Sequence, residues 1–83
     1  MSHPDVTIYT VSTCSDCRAT KAFLTEHEIS FTEFDIEDQP EKAEELVNLT
    51  GKHIVPTIKI GEDVFIGFNV GNNRVPIEHL LLS

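Results

Sequence analysis

Apolar residues recur along the chain in two rhythms, one of period two and one of three to four, and the changes of rhythm mark the elements. Val6-Thr7-Ile8-Tyr9-Thr10-Val11 is β-branched and alternating, which predicts a strand. Ser12-Thr13-Cys14-Ser15-Asp16-Cys17 follows, where Thr13 as N-cap with Asp16 three residues on is close to a capping box, with Asp in place of the usual Glu or Gln. A first helix is therefore expected from Cys14 to about His27, with Ala19, Ala22 and Phe23 on its buried stripe. Residues 31–36 alternate again, Phe31, Glu33 and Asp35 against Thr32, Phe34 and Ile36, and predict a short second strand.

Asp38-Gln39-Pro40-Glu41 predicts the start of a second helix, with Asp38 as the cap, Pro40 in the tolerant first turn and Glu41 at the third position. Ala43, Leu46, Val47 and Thr50 repeat at helical spacing, and Gly51 offers a left-handed stop. Pro56 opens residues 57–60, Gly61-Glu62-Asp63 makes a turn and residues 64–66 return, which predicts a β-hairpin. Gly67 and Gly71 bracket a loop, and Ile77, Leu80 and Leu81, with Pro76 near the start, predict a short terminal helix. The expected order is β-α-β-α-β-β-α in a single domain spanning residues 1–83, with no internal repeat or linker.

Composition narrows the picture. At 83 residues, 40% hydrophobic and 24% charged, the chain suits one folded domain and excludes a two-domain enzyme. The net charge of −8 argues against nucleic acid or an anionic membrane as partner. Nine carboxylates fall within residues 26–45 against Lys42 alone, either as a solvated face or as a docking surface for a basic partner. The longest apolar runs, 64–68 and 80–82, fall far short of the roughly 18 residues of a membrane span. The start, Met1-Ser2-His3-Pro4-Asp5, has no basic n-region and no apolar h-region, so a cytoplasmic location is the expectation; a monomer is expected separately, with the oligomeric state not fixed by the sequence.

The chemistry concentrates in the two cysteines, Cys14 and Cys17. Too close to staple distant segments, they read as a local redox or metal-binding pair. One helical turn apart, their Cβ atoms lie about 5–6 Å from each other, and a modest adjustment brings them within disulfide reach. At a helix N-terminus the first cysteine is favoured as an anion, which makes Cys14 the nucleophile and Cys17 the resolving thiol. Arg18 and Lys21 add positive charge nearby. Asp16 opposes thiolate formation, so it is read mainly as a cap that also leaves Cys14 less acidic and the couple more reducing. An inert buried pair and half of a zinc site are the competing readings. Among His3, His27, His53 and His79 none has the His-x3–5-His spacing of a zinc pair, and His27 suits a helix C-terminus.

A Cys-x-x-Cys on a strand-to-helix turn, with Val55-Pro56 opening a hairpin about forty residues later, resembles the glutaredoxin-like class of thioredoxin-fold proteins over nearly the whole chain. Cys17-Arg18-Ala19-Thr20-Lys21, Leu24 and Ile66-Gly67-Phe68 are similar to the small redoxins of that class that behave as thioredoxins, including electron donors of ribonucleotide reductase. The resemblance implies a thioredoxin fold, an α/β architecture of a four-stranded mixed sheet with three helices. It also implies a cis Pro56, which leaves the Val55 backbone to pair with an extended substrate segment. Gly67 and Phe68 would border the same groove, Thr13, Ser15 and Asp16 would touch substrate beside the cysteines, and His53 would reach the rim. The implied activity is dithiol-disulfide exchange with protein disulfides, with no bound cofactor beyond the Cys14-Cys17 disulfide and with electrons from a flavin-containing thioredoxin reductase.

Glutathione-using members typically carry Pro-Tyr between the cysteines, a Lys three residues before the first, Thr-Val-Pro, and Gly-Gly-x-x-Asp. Here Ser15-Asp16, Val11, Ile54-Val55-Pro56 and Gly67-Phe68-Asn69-Val70 stand in those places, so the tripeptide's carboxylate sites look largely missing, although Arg18, Lys21 and Lys52 offer local compensation. A glutathione-dependent glutaredoxin, and a non-catalytic metal or iron-sulfur carrier or adaptor, are the alternatives.

Overall fold

Alternation along the first strand sends consecutive side chains to opposite faces of a sheet, and both faces are covered. The computed structural model describes residues 5–82, so His3 and the amino-terminal stretch weighed above lie outside the described residues. Its strands are β1 (Val6–Thr10), β2 (Thr32–Asp35), β3 (Thr57–Ile60) and β4 (Asp63–Ile66). The helices are α1 (Ser15–Glu26), α2 (Pro40–Thr50) and α3 (Arg74–Leu82), with one 3-10 turn over Val70–Asn72. The sheet runs β2-β1-β3-β4, with β1 parallel to β2 and antiparallel to β3, and β3 antiparallel to β4. This is the thioredoxin-fold arrangement, and the element order is the one the sequence predicts.

Val6 and Ile8 of β1 join Ile58, Phe23, Leu24, Ile77 and Leu81 in one core, which holds α1 and α3 against the sheet. Tyr9, on the opposite face of β1, packs with Ile36 and Leu46 and so seats α2. Ile8 and Ile58 stand directly opposite each other in register and are fully buried. The edge strand β2 places the charged Glu33 and Asp35 where an unpaired strand edge would otherwise invite association.

Several local expectations are corrected. The buried face of α1 is Cys17, Thr20, Phe23 and Leu24, with Ala19 partly covered and Ala22 exposed. Gln39 rather than Asp38 is the N-cap of α2 and makes no side-chain capping bond, while Pro40 sits in the first turn as expected. The Asp35 carboxylate instead accepts from the Glu37 and Asp38 amides at 2.9 and 3.3 Å, closing the turn between β2 and α2. Val47 and Leu80, placed on buried stripes by spacing, are each 40% exposed, since α2 and α3 are each buried along one narrow line.

Helix α1 ends in a Schellman arrangement: Glu28 N–H donates to Thr25 O at 3.1 Å and Ile29 N–H to Leu24 O at 2.8 Å, with Ile29 and Leu24 both in the core. The residue in the left-handed position is Glu28, at φ 57°, where glycine is usual; at the end of α2 Gly51 fills the same role at φ 78°. Beneath α2, Tyr9 Oη donates to Glu45 Oε1 at 2.7 Å, Lys42 Nζ reaches Glu45 Oε2 at 3.1 Å, and the same ammonium lies 4.1 Å from the centre of the Phe34 ring. Burial, reinforced by the Glu45 carboxylate, pushes the Tyr9 phenol up to about 12. Hydrogen bonds first from Tyr9 and then from Lys42 hold the Glu45 carboxyl below its ordinary range.

Two outcomes follow for stability. Glu28→Gly relieves the left-handed backbone and raises unfolding free energy by roughly 0.5–1 kcal/mol, read as a higher urea midpoint with an unchanged slope. A raised phenol pKa means that the Tyr9 contribution is complete below its ordinary value of 10.0 and is lost as pH rises towards about 12. The stability difference between wild type and Tyr9→Phe should therefore shrink across that window, and a difference flat in pH would show that Tyr9 titrates as an ordinary phenol.

Candidate active site

The polypeptide leaves the carboxyl end of β1 through a turn in which Cys14 N–H donates to Val11 O at 3.2 Å, and α1 begins at once. Cys14 has extended backbone angles, φ −86° and ψ 113°, and is itself the N-cap of α1: its Sγ accepts from the Cys17 N–H at 3.1 Å. Thr13, expected as the cap, is exposed and one position too early. The two cysteines are disulfide-bonded with their Cα atoms 5.2 Å apart. Cys17 is only 1% exposed, whereas Cys14 is half-buried, so Cys14 is the more accessible of the two. The amide on Cys14 Sγ and the positive end of α1 both favour negative charge on that sulfur once the bond is reduced.

Cys14 is the N-cap of α1, and the Asp16 carboxylate reaches beyond its own helix. It accepts from Phe68 N–H at 2.9 Å through Oδ2 and from Asn69 N–H at 3.0 Å through Oδ1, groups 52 and 53 residues away in sequence. The buried Thr20 hydroxyl donates to the Asp16 carbonyl at 2.8 Å and steadies this first turn. Gly67 N–H in turn donates to Pro56 O at 2.7 Å. Asn73 Nδ2 reaches Ile66 O and Gly67 O at 2.6 and 3.0 Å. The cysteine turn, the loop after β4 and the Pro56 turn are thus joined by hydrogen bonds into one surface.

The Val55-Pro56 peptide is cis, with Pro56 buried and Val55 half-buried. Gly67 holds φ 91°, a left-handed conformation that suits glycine and lets the loop run against the Pro56 carbonyl. Phe68 as a whole is 1% exposed, and its ring meets that of Phe23 in a tilted arrangement with centroids 5.4 Å apart, so Phe68 is a core residue. Ser15 and His53 are exposed. Lys21, expected to add charge beside the cysteines, is paired with Glu33 of β2 at 3.0 Å, and Arg18 reaches Ser12 O at 3.4 Å. Glu33 also accepts from the buried Thr10 hydroxyl at 2.7 Å. Part of the acidic stretch is therefore structural rather than a free face.

Thr20 and Asn73 are site-building residues that periodicity passes over, and the Asp16 contact has no local signal at all. The one available cue was Asn73 just before the terminal helix, where a polar residue that bonds nearby backbone is common. Among the described residues, no group of three or more His, Cys, Asp or Glu side chains is placed to hold a metal ion, and no helix is long and apolar enough to cross a membrane.

A disulfide that can open at the start of a helix, at the end of the central strand of this sheet and beside a cis-proline turn, defines a thioredoxin-fold thiol-disulfide oxidoreductase. Residues 6–66 match the glutaredoxin family model, and the chain belongs to the glutaredoxin family. The glutaredoxin-like protein NrdH of Lactococcus lactis subsp. cremoris is 38% identical over 63 residues, 76% of this chain and 86% of that protein. Glutaredoxin 3 of Escherichia coli K12 is 39% identical over 56 residues, 68% of each chain. The crystal structure of a glutaredoxin from Archaeoglobus fulgidus superposes with a TM-score of 0.78 at 24% identity, covering 96% of this chain and 88% of that one.

In the reduced protein the Cys14 thiol should titrate below a free cysteine, and Asp16→Asn should lower it further by removing the neighbouring negative charge. Thiolate absorbance followed against pH measures both, and a value for Asp16→Asn equal to or above wild type would leave Asp16 with no electrostatic hold on Cys14.

Proposed function

We propose that the protein is a dithiol electron donor that reduces protein disulfides, with Cys14 as nucleophile and Cys17 as resolving thiol. The observation that carries this reading is the asymmetry of the pair: Cys14 is accessible and receives the Cys17 amide, whereas Cys17 is buried beneath it. The Cys14 thiolate attacks one sulfur of the substrate disulfide, forming a mixed disulfide and expelling a thiolate that takes up a proton. Cys17, giving up its proton, then attacks Cys14 Sγ; the second substrate sulfur leaves as a thiol and the Cys14-Cys17 disulfide closes. Two electrons pass to the substrate, and two electrons with two protons restore the dithiol.

An extended substrate segment is held along the Val55 backbone next to Pro56, by strand-like pairing that demands little of the side chains. Thr13, Ser15, Gly67 and Phe68 border the same groove, with His53 at its rim. A flavin-containing thioredoxin reductase returns the electrons. The likeness to NrdH over most of both chains supports this choice. So does the residue set where glutathione-using members differ, with Val11, Ser15-Asp16 and Gly67-Phe68 in place of the expected Lys, Pro-Tyr and Gly-Gly. The net charge of −8 adds long-range repulsion of an anionic tripeptide.

NADPH consumption with a protein disulfide tests the reading by comparing thioredoxin reductase alone with glutathione plus glutathione reductase. Turnover is expected with thioredoxin reductase alone, abolished by Cys14→Ser, while Cys17→Ser accumulates a covalent mixed disulfide with the substrate protein. Turnover only with glutathione would overturn it in favour of a glutathione-dependent glutaredoxin.

A further inference from the structure

Two neighbouring backbone N–H groups aimed at one carboxylate make an anion cradle, and in this protein such a cradle is filled by a side chain from the turn that carries the exchanging sulfurs. Phe68 and Asn69 supply the amides at 2.9 and 3.0 Å, one to each oxygen of Asp16. Asp16 stands between Cys14 and Cys17 in sequence, in the first turn of α1, so its bonds to these amides tie the cradle to the turn that carries the disulfide. The loop that carries it is held by Asn73 on the carbonyls of Ile66 and Gly67 and by Gly67 on Pro56. A bidentate carboxylate in so fixed a frame does two things to an incoming anion. It occupies the donors the anion would use, and it sets a like charge next to the sulfur being attacked.

We infer that Asp16 is a specificity-determining residue: by occupying the Phe68-Asn69 amide cradle, its carboxylate selects against small disulfides that carry a carboxylate, while neutral and cationic disulfides react freely. The inference rests on Cys14-Cys17 being the exchanging pair and deepens that reading by naming the class of small substrate the site turns away. Asp16 acts through charge and occupied donors; it takes no part in bond making. In each reaction the reduced pair gives two electrons to the small disulfide, the protein closes its Cys14-Cys17 bond, and the probe leaves as two thiols.

The test uses three disulfides of similar size, dithiodipropionate (anionic), bis(2-hydroxyethyl) disulfide (neutral) and cystamine (cationic), each mixed with the reduced protein in a single turnover followed by loss of protein thiols. In Asp16→Asn and Asp16→Ala the rate with the anionic disulfide relative to the neutral one should rise roughly five- to tenfold, the scale of one charge-assisted hydrogen bond gained and one like charge removed. The cationic-to-neutral ratio should fall in the same variants. A change in Cys14 acidity moves all three rates together and leaves the ratios alone. Glu62→Gln removes the same charge at the far turn of the β3-β4 hairpin, and its ratios should stay within about twofold of wild type because a distant exposed charge is screened. Ratios in both Asp16 variants that move no more than in Glu62→Gln would overturn the inference and leave Asp16 as a structural tie. A wild-type dithiol inert towards the neutral disulfide would instead overturn the exchange reading and this inference with it.

Discussion

The central strand β1 has to be buried on both faces at once, and most of the structure follows from that constraint. Ile8 faces the core beneath α1 and α3, and Tyr9 faces the smaller one beneath α2. A strand so enclosed needs partners on both edges, which β2 and β3 supply, and layers on both sides, which the helices supply. Its carboxyl end is then the place where the chain leaves the sheet to enter α1, and Cys14 sits at that exit. In open α/β sheets the carboxyl ends of strands commonly host function because helix N-termini and loops converge there. The smaller core carries a polar load as well, since the Tyr9 hydroxyl beneath α2 donates to the exposed Glu45.

The electrostatics at the cysteines are a contest between near neighbours. The Cys17 amide and the start of α1 favour a thiolate at Cys14, while Asp16 brings a negative charge into the same turn. Two amides from the loop after β4 hold that charge in place and partly offset it, so Asp16 is tied to the far side of the site. The same bonds fix the loop against the cis-proline turn, so the geometry around the disulfide and the charge beside it are set by one group of contacts.

The elements were legible and their edges less so. Period-two alternation and helical spacing located all four strands and three helices, because each pattern is summed over several residues and tolerates local exceptions. Caps depend on single backbone angles, and there the sequence misled. Thr13 and Asp38 have good capping side chains, yet Cys14 and Gln39 hold the cap positions, because the turns from β1 and β2 decide where helical angles begin. Glu28 in a left-handed conformation carries no sequence warning; it is held there because Ile29 must return to the core beside Leu24.

By itself the sequence determined the order of elements, the pairing of two cysteines one helical turn apart, and the location of that pair after a β-branched strand. These are local facts, written in residue type and spacing. Tertiary structure alone decided which cysteine is accessible, where the Asp16 charge goes, that Lys21 belongs to Glu33, and that Phe68, in the loop after β4, is core. Each of these joins residues distant along the chain through hydrogen bonds a few ångströms long, and such contacts exist only after the sheet has set its register and the two cores have closed on either side of β1.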